Sequence, residues 1–118
     1  MRLEYRRRTL LIDVLLLLVT GSALAEDRIL ELGIHDAESS AKPPVLSVRQ
    51  NEQVVLRLTS DQPLHVHLHG YDIESDVAPG LVTALRFTAT ATGRFPLEAH
   101  YEQKRRRSPL AYIEVRPR

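Results

Sequence analysis

The segment Leu64-His65-Val66-His67-Leu68-His69 places three of the chain's five histidines at alternate positions. Neutral imidazole offers a lone pair and is the commonest side-chain ligand for transition metals. On a β-strand, alternate side chains share one face. The three imidazoles therefore project together, and Leu64, Val66 and Leu68 take the opposite, core-facing side. Neighbouring rungs of such a ladder stand about 6.5–7 Å apart. Two rings at that spacing can converge on one ion at about 2.0–2.1 Å from each nitrogen. His65 and His69 are about 13 Å apart by the same rise, so one ion takes two rungs and a ligand from elsewhere. His100 closes another alternating segment beside Glu98 and is the first candidate for that ligand. The expected metal ligands are His67, His69, His100 and His65, with His35 and Glu98 in reserve.

The chain has no cysteine. That excludes disulfides, thiolate metal sites, iron–sulfur ligation and cysteine nucleophiles. A nitrogen donor set without sulfur suits copper(II), zinc or nickel, and copper heads the intrinsic affinity order. A copper ion is the expected cofactor, with zinc as the other candidate. Asp72, Glu74 and Asp76 are placed to orient a ring through its second nitrogen. The ladder could instead be a solvated polar face, or a pH-responsive or partner-binding one. No Ser-His-Asp arrangement, phosphate loop or zinc-protease helix is present. Glu98 beside His100 is an isolated acid–base pair, and the chain is not expected to be an enzyme.

Strands must position these residues. Leu30, Leu32 and Ile34 alternate with Glu31, Gly33 and His35, and Val45 to Arg49 is short and β-branched. Alternation returns over residues 54–59, 64–69, 81–88 and 94–100, and Leu110 to Val115 is a last apolar run. Period-2 patterning of this density means half-buried strands. The stretch from Asp36 to Pro44 reads as a loop, and Asn51-Glu52, Asp61-Gln62-Pro63, Gly70, Pro79-Gly80, Gly93 and Ser108-Pro109 mark turns. Seven short strands suit an all-β, two-sheet antiparallel β-sandwich.

At 118 residues the chain supports one domain. Arg6-Arg7-Arg8, the apolar run Leu10 to Val19 and Ala23-Leu24-Ala25 form the three-part layout of a secretory signal peptide. The run falls well short of the roughly 20 residues of a spanning helix. The expected organisation is a signal peptide at 1–25 and a single domain at 26–118, periplasmic or secreted, with no stable membrane insertion after cleavage. The net charge is +1, but the first 25 residues hold four Arg and two acids, so 12 bases and 13 acids remain in the domain. That balance argues against nucleic-acid binding, which needs a basic face. Lys104-Arg105-Arg106-Arg107 is a compact basic run that is either solvated or docks an acidic partner or anionic lipid. Tyr71, Tyr101 and Tyr112 read as packing or rim residues.

The segments VVLRLTSDQPLHVHLHGYDIESDVAPG, ALRFTATATGRFPLEAH and LAYIEVRP, in this order, resemble a cupredoxin domain. The resemblance covers most of residues 45–117. It implies a Greek-key β-sandwich that holds copper at one end, with His67 at the first ligand position. Ala99 falls where the copper-ligating cysteine of such domains stands, and no methionine follows. A blue-copper centre needs that thiolate, so blue-copper electron transfer is excluded. His67-Leu68-His69-Gly70 also resembles the His-x-His-Gly segment of multicopper oxidases, with His100 just after the position of the missing cysteine. Because Ala99 points inward with Phe95 and Leu97, and His100 outward with Glu98, the site is expected on an outer face or rim. The expected role is metal binding for copper buffering, delivery or sensing, with a protein partner in copper handling. The alternative is a metal-free cupredoxin-like interaction domain.

Overall fold

The structure, a computed structural model, describes residue 21 and residues 24–36, 42–100 and 109–118. Most of the 1–25 segment, Tyr101 and the whole Lys104–Arg107 run lie outside the described residues. The described chain forms β1 (Arg28–Ile34), β2 (Val45–Arg49), β3 (Gln53–Ser60), β4 (Leu64–Leu68), β5 (Ile73–Val77), β6 (Thr83–Thr88), β7 (Gly93–His100) and β8 (Pro109–Arg116). β1, β3 and β6 make one sheet, and the second has the order β2-β8-β7-β4-β5. The chain crosses repeatedly between the two sheets, giving the expected all-β Greek-key sandwich. No helix of the described residues is long and apolar enough to cross a membrane.

The core is the sum of the inward phases of these strands. Val54, Leu56 and Leu58 of β3 meet Val66 and Leu68 of β4, Leu97 of β7 and Ile113 of β8, all essentially without solvent contact. Each fully buried Leu or Ile contributes about 1.5–3 kcal/mol of transfer free energy. Register preserves the phase from strand to strand: Leu30 pairs with Leu56 and Leu32 with Leu58, while Val66 pairs with both Ala99 and Ser75.

Three features depart from the simplest sequence reading. The acidic segment around Glu74 and Asp76, which the alternating stretches above leave out, is a strand, β5, at the edge of the larger sheet. Its Ile73, Ser75 and Val77 oppose Leu68, Val66 and Leu64, so Glu74 and Asp76 face outward. Asp and Glu lower strand propensity, which hid the alternation, yet charged residues suit an edge strand. Leu81 and Val82, read as the start of a strand, are exposed in the turn before β6. Two pairs, β1 with β3 and β2 with β8, are parallel. Parallel neighbours need a crossover, and β2, lying in the opposite sheet, is the crossover between β1 and β3.

Candidate metal centre

β4 lies between β7 and β5, and its inward residues Leu64, Val66 and Leu68 are buried. The odd-numbered phase is thereby committed to the outer face. There His67 stands between Glu98 of β7 and Glu74 of β5, and His65 between His100 and Asp76. The pleat thus places imidazoles and carboxylates from three strands on one surface.

His69 lies one residue beyond the end of β4. Its backbone N–H donates to the Pro96 carbonyl at 3.1 Å. Gly70 then turns the chain with a φ of +86°. A Cβ at Gly70 would sit 2.3 Å from Cδ1 of Phe95, so the ring of Phe95 fills the space a side chain would need. Leaving the strand brings the rings of His67 and His69 to 4.0 Å between centroids, nearer than two rungs of a regular ladder. The ring of His100 lies 5.7 Å from that of His67.

The outcome is a group of three. His67, His69 and His100 each offer one ring nitrogen, and these atoms lie within 4.8 Å of one another. An ion about 2.0–2.1 Å from three nitrogens would hold them roughly 3.4 Å apart, so the rings would have to draw in on binding. Nε2 of His100 is buried and has no hydrogen-bond partner. A buried polar atom left unpaired costs about 1–3 kcal/mol, and in its neutral tautomer with a free lone pair this nitrogen could be satisfied by a cation. His67 is 15% exposed and His69 33%, so the donors are sheltered but reachable.

Carboxylates orient the set. Oε2 of Glu98, itself 15% exposed, lies 2.8 Å from Nε2 of His69. If that contact persists with an ion bound, Nδ1 is the atom left to His69 as a ligand. A carboxylate on the second nitrogen fixes ring orientation and raises ligand basicity. Glu98 was expected only as a reserve ligand, and this orienting contact shows only in the folded geometry. Asp72 and Glu74 each bring an oxygen to 3.9 Å from Nε2 of His67, beyond hydrogen bonding but near enough to add negative potential.

His65 is not one of the three. Its Nδ1 lies 2.8 Å from Asp76 and its Nε2 3.4 Å from Glu74. The hydrogen bonds to Asp76 and then Glu74 raise its pKa above 6.5. The His65 imidazole is thus held by the β5 carboxylates, while its ring also packs edge-on against His100 at 5.9 Å between centroids. His35 is exposed after β1 of the other sheet, with Nε2 near Gly33, and does not join the group. Tyr71 packs against Phe87 and Phe95 and donates its hydroxyl to the Ala91 carbonyl at 2.8 Å. It braces the turn that carries His69, in keeping with a packing role.

The sandwich has solved counterparts. A blue copper oxidase from Nitrosomonas europaea matches at 19% identity over 78% of this chain, with a TM-score of 0.59. The periplasmic domain of subunit II of cytochrome oxidase (CoxB) from Bradyrhizobium japonicum matches at 20% over 61%, with a TM-score of 0.50. The fold is that of the cupredoxins. A copper-binding protein solved in its apo form also matches, at 9% identity over 77% of this chain and 91% of its own, with a TM-score of 0.55. The chain spans 39% of the Nitrosomonas protein and 54% of the Bradyrhizobium domain. Neither a family sequence model nor a curated protein matches it. In this cupredoxin-fold chain Ala99, at the position expected for cysteine, is buried against the core, and the three-histidine group lies on the outer face of the larger sheet.

Proposed function

We propose that the chain binds a copper ion through His67, His69 and His100 and serves in copper buffering, delivery or sensing as an exported, non-enzymatic module. The observation that carries this reading is the convergence of one ring nitrogen from each of three imidazoles within 4.8 Å; His100 in addition holds a buried Nε2 with no hydrogen-bond partner. A three-nitrogen set with no sulfur favours copper(II) over the other divalent first-row ions. Asp72 and Glu74 lie near His67 and Glu98 contacts His69, and these carboxylates offset a double positive charge, which favours copper(II) over copper(I). Copper as the metal is supported by two structural neighbours, a blue copper oxidase and a copper-binding protein.

The chain's own residues divide the work. His67, His69 and His100 supply lone pairs. Glu98 holds the ring of His69, and the Gly70 turn brings that ring to His67. Blue-copper electron transfer is outside this repertoire for want of a thiolate. A copper-handling protein would be the natural partner, meeting the outer face of β4, β5 and β7.

The test is titration of the full chain, free of any histidine tag, with Cu(II), Cu(I) and Zn(II) under competition. Cu(II) should bind at one equivalent and more tightly than Zn(II). No ion bound more tightly than about 1 μM, near −8 kcal/mol, would end this reading.

A further inference from the structure

At the end of the sandwich where β1 begins and β2 and β8 finish, an open cleft of about 380 Å³ is lined by Arg28, Ser47, Arg49, Glu52, Arg116 and Pro117. Its three arginines come from three strands and both sheets. Arg49 and Arg116 are register partners on adjacent parallel strands, so two like charges stand side by side, an arrangement that destabilises a bare sheet.

The arrangement lacks the usual compensation. Among the described residues six arginines lie on strands. Arg57, Arg86, Arg94 and Arg116 are ion-paired with carboxylates. Among the described residues no carboxylate pairs with the guanidinium of Arg28 or of Arg49, and both line this cleft. Oε2 of Glu52, the one acid of the lining, accepts from the backbone N–H of Arg49 at 2.9 Å and not from a guanidinium. Arg116 uses Nε on Glu114 at 2.7 Å, which leaves its terminal nitrogens to donate. Arginine forks match tetrahedral oxyanions in pairs of hydrogen bonds.

We propose that this cleft binds a phosphate group, held by Arg28, Arg49 and Arg116. Its volume lies in the range of small-molecule sites, with room for a substituent on the phosphate. The group could belong to a free phosphate compound or to a lipid headgroup, and the chemistry of recognition is the same for both.

The test uses the full chain and two probes. Inorganic phosphate is titrated in chloride at constant ionic strength, with the arginine Nε–Hε signals read by NMR. Vesicles of phosphatidic acid are compared with vesicles of phosphatidylcholine. The side-chain signals of Arg28, Arg49 and Arg116 should shift saturably at millimolar phosphate or below, or the chain should prefer the phosphatidic acid vesicles. The variant R28Q/R49Q should weaken the response at least tenfold, and R57Q should leave it unchanged. The probe that binds identifies the source. Without phosphate, R28Q/R49Q should melt no lower than the parent. Saturable binding to neither probe, or equal binding by R28Q/R49Q, would overturn the proposal.

Discussion

Oε2 of Glu98 on β7 lies 2.8 Å from Nε2 of His69, which stands just past the end of β4. The contact crosses between strands whose register pairs Glu98 with His67, so it runs diagonally, and it reaches a ring that has left the regular ladder. It sets the rotation of His69 and with it the nitrogen presented to an ion. Replacing an outer partner of a ligand typically costs about 10–100-fold in metal affinity. Glu98→Gln is expected near the lower end of that range and Glu98→Ala near the upper, with thermal melting of the metal-free chain little changed. Competition titration of the two variants measures the effect.

Substitution of the imidazoles one at a time should sort them into two classes. His67→Ala, His69→Ala and His100→Ala should each weaken copper(II) binding by at least about 100-fold, near 2.7 kcal/mol. His65→Ala should change it less than about tenfold, because the ring of His65 is held by Asp76 and Glu74. Equal losses across all four variants would mean that the group of three is not the binding set.

The buried Nε2 of His100 sets stability against binding. His100→Leu removes an unpaired polar atom and retains the bulk, so the metal-free chain should gain about 1 kcal/mol while losing the ion. Urea denaturation of parent and variant, each with and without copper(II), separates the two effects. A metal-free variant less stable than the parent would show that Nε2 does not carry the expected penalty.

Gly70 joins the motif to the fold. With φ at +86° and Phe95 at 2.3 Å from any added Cβ, Gly70→Ala combines backbone strain with overpacking. The loss of stability is expected at about 2–4 kcal/mol, read from chemical denaturation. Copper affinity should fall with it, because the ring of Phe95 and the position of His69 move together.

Glu114 governs part of the acid response. Arg116, and then Arg94, hold its carboxyl below the usual value of 4.5. A carboxyl depressed by folding contributes stability that is complete above its unfolded value and disappears as pH falls through its folded one. The parent should therefore lose melting temperature more steeply than Glu114→Gln as pH is lowered beneath about 4.5. Parallel slopes for the two proteins over that range would show no such contribution.

Much of the architecture is legible in residue alternation. Leu64, Val66 and Leu68 commit one side of β4 to the core, so His65 and His67 had to face outward. Phe95, Leu97 and Ala99 likewise turn Glu98 and His100 out of the core. Period-2 burial is a local property, because the pleat repeats every two residues whatever lies beside it. β5 was harder to see, since Glu74 and Asp76 mask the inward sequence Ile73, Ser75, Val77.

The sequence by itself determined which residues face the core, that no thiolate is available, and that the imidazoles share one surface. Only the tertiary structure decided which of them meet. Strand register placed His100 on the neighbour of β4, the turn at Gly70 drew His69 to His67, and the β5 carboxylates drew His65 aside. Each of these depends on contacts between segments distant in the chain, where side-chain direction is set by packing and not by local periodicity.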